Sequence, residues 1–191
     1  MNWAAAAAAI AGLALLARGG VGGVDSSLED GEATQMSADG IDPRLAVAVG
    51  LPFSWGAGTP STPLHTGEVS SLGPDDAPAG FDCSGLVQAA LVALGLLSPT
   101  ERDRSAAALW AAGVAVSDDV RVGDVAGYSS NGRTITHVAI AGADADGSGV
   151  APVLSASGGY SDTFGDDPDA AVKVWSSPEY RSDFVGWRRL A

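Results

Sequence analysis

The chain has 191 residues, of which 46% are hydrophobic, so it is not a wholly disordered protein, and its length suits one compact domain with an appendage. The formal net charge of −13 argues against binding to nucleic acid or to an anionic membrane. A single cysteine excludes an intramolecular disulfide and is compatible with any redox compartment.

The chain opens with an apolar segment, residues 3–17, built from alanine, leucine, isoleucine, tryptophan and one glycine. As a helix it would span about 22 Å, short of the roughly 30 Å hydrocarbon core of a bilayer. Its length suits a secretory signal, but no lysine or arginine precedes it and its cleavage site is poor. We expect residues 1–18 to be a signal or anchor, or a helix that docks into a larger assembly through 3–17. A flexible tail is the third alternative.

Residues 19–40 are rich in glycine, serine, aspartate and glutamate and show no apolar period, which predicts a flexible linker. The domain is therefore expected to cover residues 41–191. Apolar periodicity and turn signals within it predict helices near 42–49, 82–97 and 104–112, and strands near 125–128, 135–141, 150–156, 172–175 and 184–188. This order predicts an α+β domain whose antiparallel sheet packs on the helix at 82–97.

Segment 81–87 (FDCSGLV) holds the only cysteine, between a glycine- and proline-containing loop and the predicted helix. Apolar residues recur from Leu86 to Leu97 at three- and four-residue steps, the period of an amphipathic helix. Cys83 then falls in the first turn, with Asp82 or a neighbour as the cap. Unpaired N–H groups and the positive end of the helix dipole favour a thiolate there, and the thiolate is the nucleophile. The alternative is an inert buried cysteine.

Segment 134–140 (TITHVAI) predicts a strand from one face of which His137 projects. Most strand histidines are structural or surface residues. The chain has only two histidines, however, and a cysteine followed by a distant strand histidine is a known thiol-hydrolase arrangement. The other histidine, His65, lies in a loop of proline and threonine, where a solvated residue is expected and a substrate contact is the alternative.

Segment 144–149 (DADGSG) copies the first half of a calcium-binding EF-hand loop. The twelfth position of such a loop, which should be a glutamate, falls on Ser155. The flanking residues also predict strands rather than helices. We therefore predict a hairpin turn here and no metal site.

Four segments in order, 51–58 (LPFSWGAG), 81–87, 121–125 (RVGDV) and 137–140 (HVAI), resemble the motifs of the NlpC/P60 family. These are papain-like cysteine peptidases that cut peptidoglycan stem peptides, typically between D-glutamate and diaminopimelate or lysine. The likeness runs from about residue 41 to the end, where 184–189 (FVGWRR) resembles the usual closing strand. It implies a papain-like fold and a cysteine endopeptidase that needs neither metal nor cofactor.

The resemblance also implies roles for residues of this chain. Cys83 is the expected nucleophile, His137 the base, and Ser155 the third catalytic residue on the following strand. The family most often has histidine at that third position, and sometimes asparagine or glutamine. A serine hydroxyl is shorter and uncharged, so it would orient and stabilise an imidazolium less well.

A further four residues are expected around the oxyanion and the substrate: Ser84, Phe53, Asp82 and Trp55. Backbone N–H groups at the start of the helix, including that of Cys83 or Ser84, would hold the oxyanion. The family usually has tyrosine at the position of Phe53, and that hydroxyl is thought to help hold the oxyanion. Phenylalanine cannot donate a hydrogen bond.

Three functions remain open from the sequence. The first is a peptidoglycan endopeptidase, either secreted or carried on a phage tail, acting outside the cell, at its envelope or on a virion. The second is a catalytically weak or inactive module of a larger assembly such as a phage tail. The third is an acyltransferase or amidase on the same scaffold, because a fold does not fix the reaction. The expected partners are a stem peptide and, through residues 3–17, an assembly protein.

Overall fold

A computed structural model describes residues 35–146 and 150–190 of the chain. None of the helices in this described part combines the length and the apolar character of a membrane span. The apolar helix expected at residues 1–18 and most of the linker expected at 19–40 lie outside it.

Three α-helices and seven strands make up the described part of the fold. The helices are α1 (Pro43–Ala46), α2 (Cys83–Ala93) and α3 (Ala106–Ala112). The strands are β1 (Gln35–Met36), β2 (Gly113–Val116), β3 (Val125–Tyr128), β4 (His137–Ala141), β5 (Val153–Ser157), β6 (Ala171–Trp175) and β7 (Phe184–Leu190). A 3₁₀ helix, Pro178–Tyr180, joins β6 to β7.

The seven strands form one antiparallel sheet in the order β1-β6-β5-β4-β3-β7-β2. Helix α2 packs on β4 and β5. The predicted α+β architecture, with an antiparallel sheet packed on the helix that carries the cysteine, is confirmed. The register places His137 opposite Tyr128 and Ser155 opposite Lys173.

Both faces of the central strands β3, β4 and β5 are covered, so every residue in them is buried. The core on the α2 side includes Leu86, Leu91, Val138, Ile140 and Leu154. On the opposite side, Tyr128, Ala139 and Val153 pack with Trp175, Tyr180, Phe184 and Trp187. Burying one leucine side chain stabilises the fold by roughly 1.5–3 kcal/mol, so this double-sided core holds β4 and β5 firmly in register.

Helix α2 ends earlier than the apolar pattern predicts. It stops at Ala93 rather than at Leu97. Gly95 has a φ of +76°, and the N–H of Leu96 donates to the carbonyl of Leu91 over 2.8 Å. A glycine in the left-handed conformation ends a helix in this way because it has no Cβ to clash.

The sheet has an edge strand at each end that the sequence did not predict. Strand β1 pairs with β6 and lies within the segment whose composition predicts a linker. Strand β2 follows α3 directly and pairs with β7 from Gly113 to Val116. The described sheet therefore begins at Gln35, six residues before the predicted domain start at residue 41.

The segment 144–149 connects β4 to β5, which are antiparallel neighbours. This is the connection that a hairpin turn makes, although residues 147–149 lie outside the described part. Asp144 accepts a hydrogen bond from the N–H of Val122 over 2.8 Å, so its carboxylate ties the turn to the chain before β3. Among the described residues, no cluster of three or more His, Cys, Asp or Glu side chains could hold a metal ion.

Candidate active site

The start of α2 fixes the position of Cys83. Asp82 is the N-cap, and its Oδ1 accepts hydrogen bonds from the N–H of Gly85 (2.7 Å) and the hydroxyl of Ser84 (3.0 Å). Its Oδ2 accepts from the N–H of Gly56 over 3.2 Å. One carboxylate therefore starts the helix and ties it to the loop that carries Trp55, as the sequence predicts for a capping residue.

The same loop approaches α2 so closely that only glycine fits at position 85. A Cβ added to Gly85 would lie 2.2 Å from the carbonyl oxygen of Ala57 and 2.7 Å from that of Gly58. Gly58 itself has a φ of +94°. This contact holds Trp55, which is 41% exposed, beside the cysteine.

His137 is the first residue of β4, and its ring is buried. Its Nε2 lies 2.9 Å from the Ser155 Oγ and 3.0 Å from the Tyr180 hydroxyl. The Ser155 and Tyr180 oxygens are themselves 2.8 Å apart. These contacts engage Nε2, so Nδ1 is the ring nitrogen left to exchange a proton with a reacting group.

Cys83 and His137 line one cleft at the end of the sheet where β4 begins and β5 ends. The cleft has a volume of about 220 Å³, and Phe53, Tyr160 and Arg181 also line it. A second cavity of about 400 Å³ adjoins it and is lined by Asp82, Ser84, Asp103 and Arg104, among others. Trp55, Cys83 and Thr136 belong to both cavities. Cys83 thus lies where the two cavities meet.

The remaining predicted residues lie at or near this cleft, with one exception. Phe53 is buried, and its ring packs so tightly on Gly159 that a Cβ there would lie 2.1 Å away. Ser84 lines the second cavity, and its hydroxyl is held by Asp82. His65 is exposed in its loop and lines neither of these two cavities.

The surroundings of both side chains favour their neutral forms, although Cys83 is only partly buried and His137 is buried. Desolvation, with the nearby Asp82 carboxylate, raises the pKa of Cys83 to about 11, although the N–H groups of Val138 and Ser84 act against it. Desolvation and the positive charge of Arg181 lower the pKa of His137 to about 3. The helix dipole favours a thiolate, whereas desolvation and the Asp82 carboxylate act in the opposite direction and raise the pKa of the Cys83 thiol. These pKa directions favour a neutral thiol and a neutral imidazole lining the same cleft at pH 7.

This charge state predicts how Cys83 reacts with iodoacetamide. Alkylation of the folded protein is expected to be slow at pH 7 and to accelerate by about tenfold per pH unit up to pH 10, because only the thiolate reacts. Cys83 is the only cysteine, so intact mass spectrometry reports this one site. The protein unfolded in urea is the matched control and should react faster at pH 8. Fast labelling that is independent of pH from pH 5 upward would instead reveal a preformed ion pair.

Sequence reasoning missed the residues that the 3₁₀ helix brings to this site. Tyr180 ends that helix, and its ring stacks on Trp175 with centroids 4.8 Å apart. The next residue, Arg181, makes two 2.9 Å hydrogen bonds to the carboxylate of Asp183 and lies over the Tyr128 ring. A serine followed by proline signals a helix start at 177–178, but no pattern indicates that its last residue meets His137.

The chain is similar in sequence to a known protein family and in structure to a known protein. A model of the NlpC/P60 family matches residues 50–146, just over half of the chain. No curated protein matches the sequence. The chain is similar to a crystal structure from Staphylococcus aureus subsp. aureus Mu50 described as "similar to lipoprotein, NLP/P60 family". The identity is 22% over 85% of this chain and 45% of that chain, with a TM-score of 0.46. This chain therefore spans less than half the length of that protein.

Proposed function

The chain belongs to the NlpC/P60 family, and we propose that it is a cysteine hydrolase that cleaves peptide bonds in peptidoglycan stem peptides. Membership of the family supports a hydrolase of the peptidoglycan-related kind. The observation that carries the proposal is the shared cleft of Cys83 and His137, in which Ser155 holds Nε2 of the histidine. The bond proposed to be cut joins D-glutamate to diaminopimelate or lysine.

The first half of the proposed reaction forms an acyl-enzyme. The Sγ–H proton of Cys83 passes to Nδ1 of His137 while Sγ bonds to the peptide carbonyl carbon. The proposed reaction uses the tautomer with the proton on Nε2, from which Ser155 Oγ at 2.9 Å accepts, so that Nδ1 is free to take the thiol proton. The carbonyl oxygen becomes an oxyanion near the N–H groups at the start of α2. When the carbonyl re-forms, the C–N bond breaks, and Nδ1–H protonates the departing amine.

The second half hydrolyses the thioester. A water molecule gives a proton to Nδ1 of His137 as its oxygen bonds to the acyl carbon. Collapse of this intermediate breaks the C–S bond and releases the new carboxylic acid. The thiolate then takes the proton from Nδ1, which restores the neutral pair that the burial of Cys83 and His137 favours.

Phe53 offers a test of the oxyanion site. Its ring lines the cleft beside Cys83 but has no donor. Loss of one oxyanion donor elsewhere costs about 10²–10³ in rate, so Phe53→Tyr is expected to raise kcat, by up to about 100-fold. Initial rates on a stem peptide measure this, with Phe164→Tyr as a matched control outside the cleft. An unchanged rate in a correctly folded Phe53→Tyr variant would contradict an oxyanion role for this position.

The proposed substrate is tested with the full chain and two synthetic stem peptides, one containing diaminopimelate and one containing lysine. Mass spectrometry of the products identifies the bond that is cut. We expect cleavage on the amino side of that diamino acid, leaving D-glutamate at the new carboxyl end. Cleavage at another bond, or two intact peptides, would overturn the proposed specificity.

A second function, a binding or structural module with little catalysis, is favoured by the chemistry of the cleft. Position 53 offers no hydroxyl to the oxyanion, and the partners of His137 are the neutral hydroxyls of Ser155 and Tyr180. Desolvation and Asp82 also raise the pKa of the Cys83 thiol to about 11. Such a module would sediment with insoluble peptidoglycan and release no peptide from it. Sedimentation together with peptide release favours the enzyme instead.

A third function, acyl transfer or amide cleavage, would use the same thioester. An amine in place of water would then carry the acyl group away. Adding glycinamide to the stem-peptide reaction distinguishes the outcomes. A glycinamide adduct in place of the free acid identifies a transferase, and free acid alone identifies a hydrolase.

We further propose that the protein acts outside the cytoplasm, at the cell envelope or on a phage tail, because peptidoglycan lies there. Residues 3–17 would supply a signal, an anchor or a docking helix. The mass of the native protein distinguishes these roles. A mature N-terminus after residue 17 supports a cleaved signal and removes the docking role.

A further inference from the structure

We propose that Tyr180 is a positioning residue for His137 and shares with Ser155 the task of accepting the Nε2–H bond. This inference rests on the proposed function, in which His137 transfers protons through Nδ1. Tyr180 lies beyond residues 50–146, the part of the chain that the family model matches. The role is inferred from the contacts of Tyr180 alone.

The three polar atoms form a closed triangle. Nε2 of His137 is 2.9 Å from the Ser155 oxygen and 3.0 Å from the Tyr180 oxygen, and the two oxygens are 2.8 Å apart. Either hydroxyl can accept the Nε2–H bond while it donates its own hydrogen to the other. A hydroxyl that donates becomes a stronger acceptor, because linked hydrogen bonds polarise one another. The hydroxyls of Ser155 and Tyr180 thereby replace the single histidine, asparagine or glutamine that the family has as the partner of this catalytic histidine.

The Tyr180 hydroxyl is held in place by the packing of its ring. The ring stacks on Trp175 at an interplanar angle of 5° and meets the Tyr128 ring nearly edge-on, with centroids 5.5 Å apart. The Ser177 hydroxyl caps the short helix by accepting from the N–H of Glu179 over 3.0 Å. A phenylalanine at position 180 would keep these ring contacts and lose only the hydroxyl.

The same geometry accounts for a serine at position 155. Its side chain is fully buried, and the Tyr180 oxygen lies 2.8 Å beyond it. We expect that a histidine at this position would compete for space with the Tyr180 hydroxyl. The small hydroxyl and the tyrosine therefore form one unit, and changing Ser155 alone to a larger acceptor does not improve it.

Kinetics of Ser155→Ala, Tyr180→Phe and the double variant test the inference. Each single change is expected to lower kcat by about tenfold or less at unchanged KM, because the other hydroxyl still accepts the bond. The double variant leaves a buried Nε2–H without its two acceptors and should lose more than the product of the single effects. If Tyr180→Phe costs no more in the Ser155→Ala background than in the wild type, the shared role is wrong.

A second readout does not depend on turnover. Nitrogen-15 NMR in a His65→Gln background observes His137 as the only histidine. We expect the Nε2–H tautomer in the wild type and in both single variants, and a mixture of tautomers in the double variant. An unchanged tautomer in a folded double variant overturns the inference. A shifted tautomer in a protein that cleaves no stem peptide rejects the proposed function and retains Tyr180 as the positioning residue.

Discussion

Replacing Cys83 by alanine is expected to lower kcat on a stem peptide by at least about 10³-fold. The thiol is the nucleophile of the proposed reaction, and loss of a nucleophile in comparable hydrolases costs up to about 10⁶. The expected factor is smaller here because the missing hydroxyl at Phe53 holds down the wild-type rate. Product formation followed by mass spectrometry, with wild type and variant at equal concentration, measures the loss.

The fold should survive this change. Cys83 lines the cleft and is only partly buried, so the smaller side chain leaves space that is continuous with the cleft. Thermal unfolding and binding of the uncut peptide should therefore match those of the wild type. Residual turnover within tenfold of the wild type would show that another group attacks the substrate.

Replacing His137 by alanine is expected to lower kcat to a similar extent. The imidazole is the only proposed proton acceptor for a thiol whose pKa is about 11, so little nucleophile forms without it at neutral pH. Because the two residues act as a unit, the Cys83→Ala/His137→Ala double variant should be no slower than either single variant. His65→Gln, which changes the other histidine, is the matched control and should retain wild-type turnover. A multiplicative loss in the double variant would contradict a coupled pair.

His137 also makes stability depend on pH. Its folded pKa of about 3 lies below the ordinary histidine pKa of 6.5, so the unfolded chain binds a proton that the folded protein excludes. The stability that depends on neutral His137 is fully present above pH 6.5 and is lost as the pH falls toward 3. The free energy of unfolding should therefore decline less steeply over this window in His137→Ala than in His65→Gln. Equal slopes would show that His137 is not held neutral by the fold.

Much of the fold could be predicted because its signals are local. Some signals depend only on neighbours in sequence and predict the right elements: the capping aspartate, the apolar steps after Leu86, and the two valines of β6. The apolar pattern predicts too late an end for α2, because Leu94 and Leu97 continue the period past Gly95, which ends the helix. Strand β1 is short and exposed, and it forms only because the edge of β6 offers it a partner.

The residues of the candidate site show the same difference between local signals, which can be predicted, and long-range contacts, which cannot. The order of the motifs indicates Cys83, His137 and Ser155. In the fold, Cys83 and His137 line one cleft, and His137 is within hydrogen-bond distance of Ser155. Tyr180 lies 43 positions after His137 in sequence, so its contact depends on how β5, β6 and the 3₁₀ helix pack. The charge state of Cys83 also escaped prediction, because the helix dipole can be read from sequence and desolvation cannot.

The central claim is that Cys83 acts as the nucleophile in hydrolysis of a stem peptide. It is tested most directly by incubating wild type and Cys83→Ala in parallel with a stem peptide in ¹⁸O-labelled water and weighing the products. We predict that the wild type releases a D-glutamyl product carrying one ¹⁸O in its new carboxylate, and that the variant releases none. Intact peptide in both reactions, or the same labelled product in both, would contradict the claim.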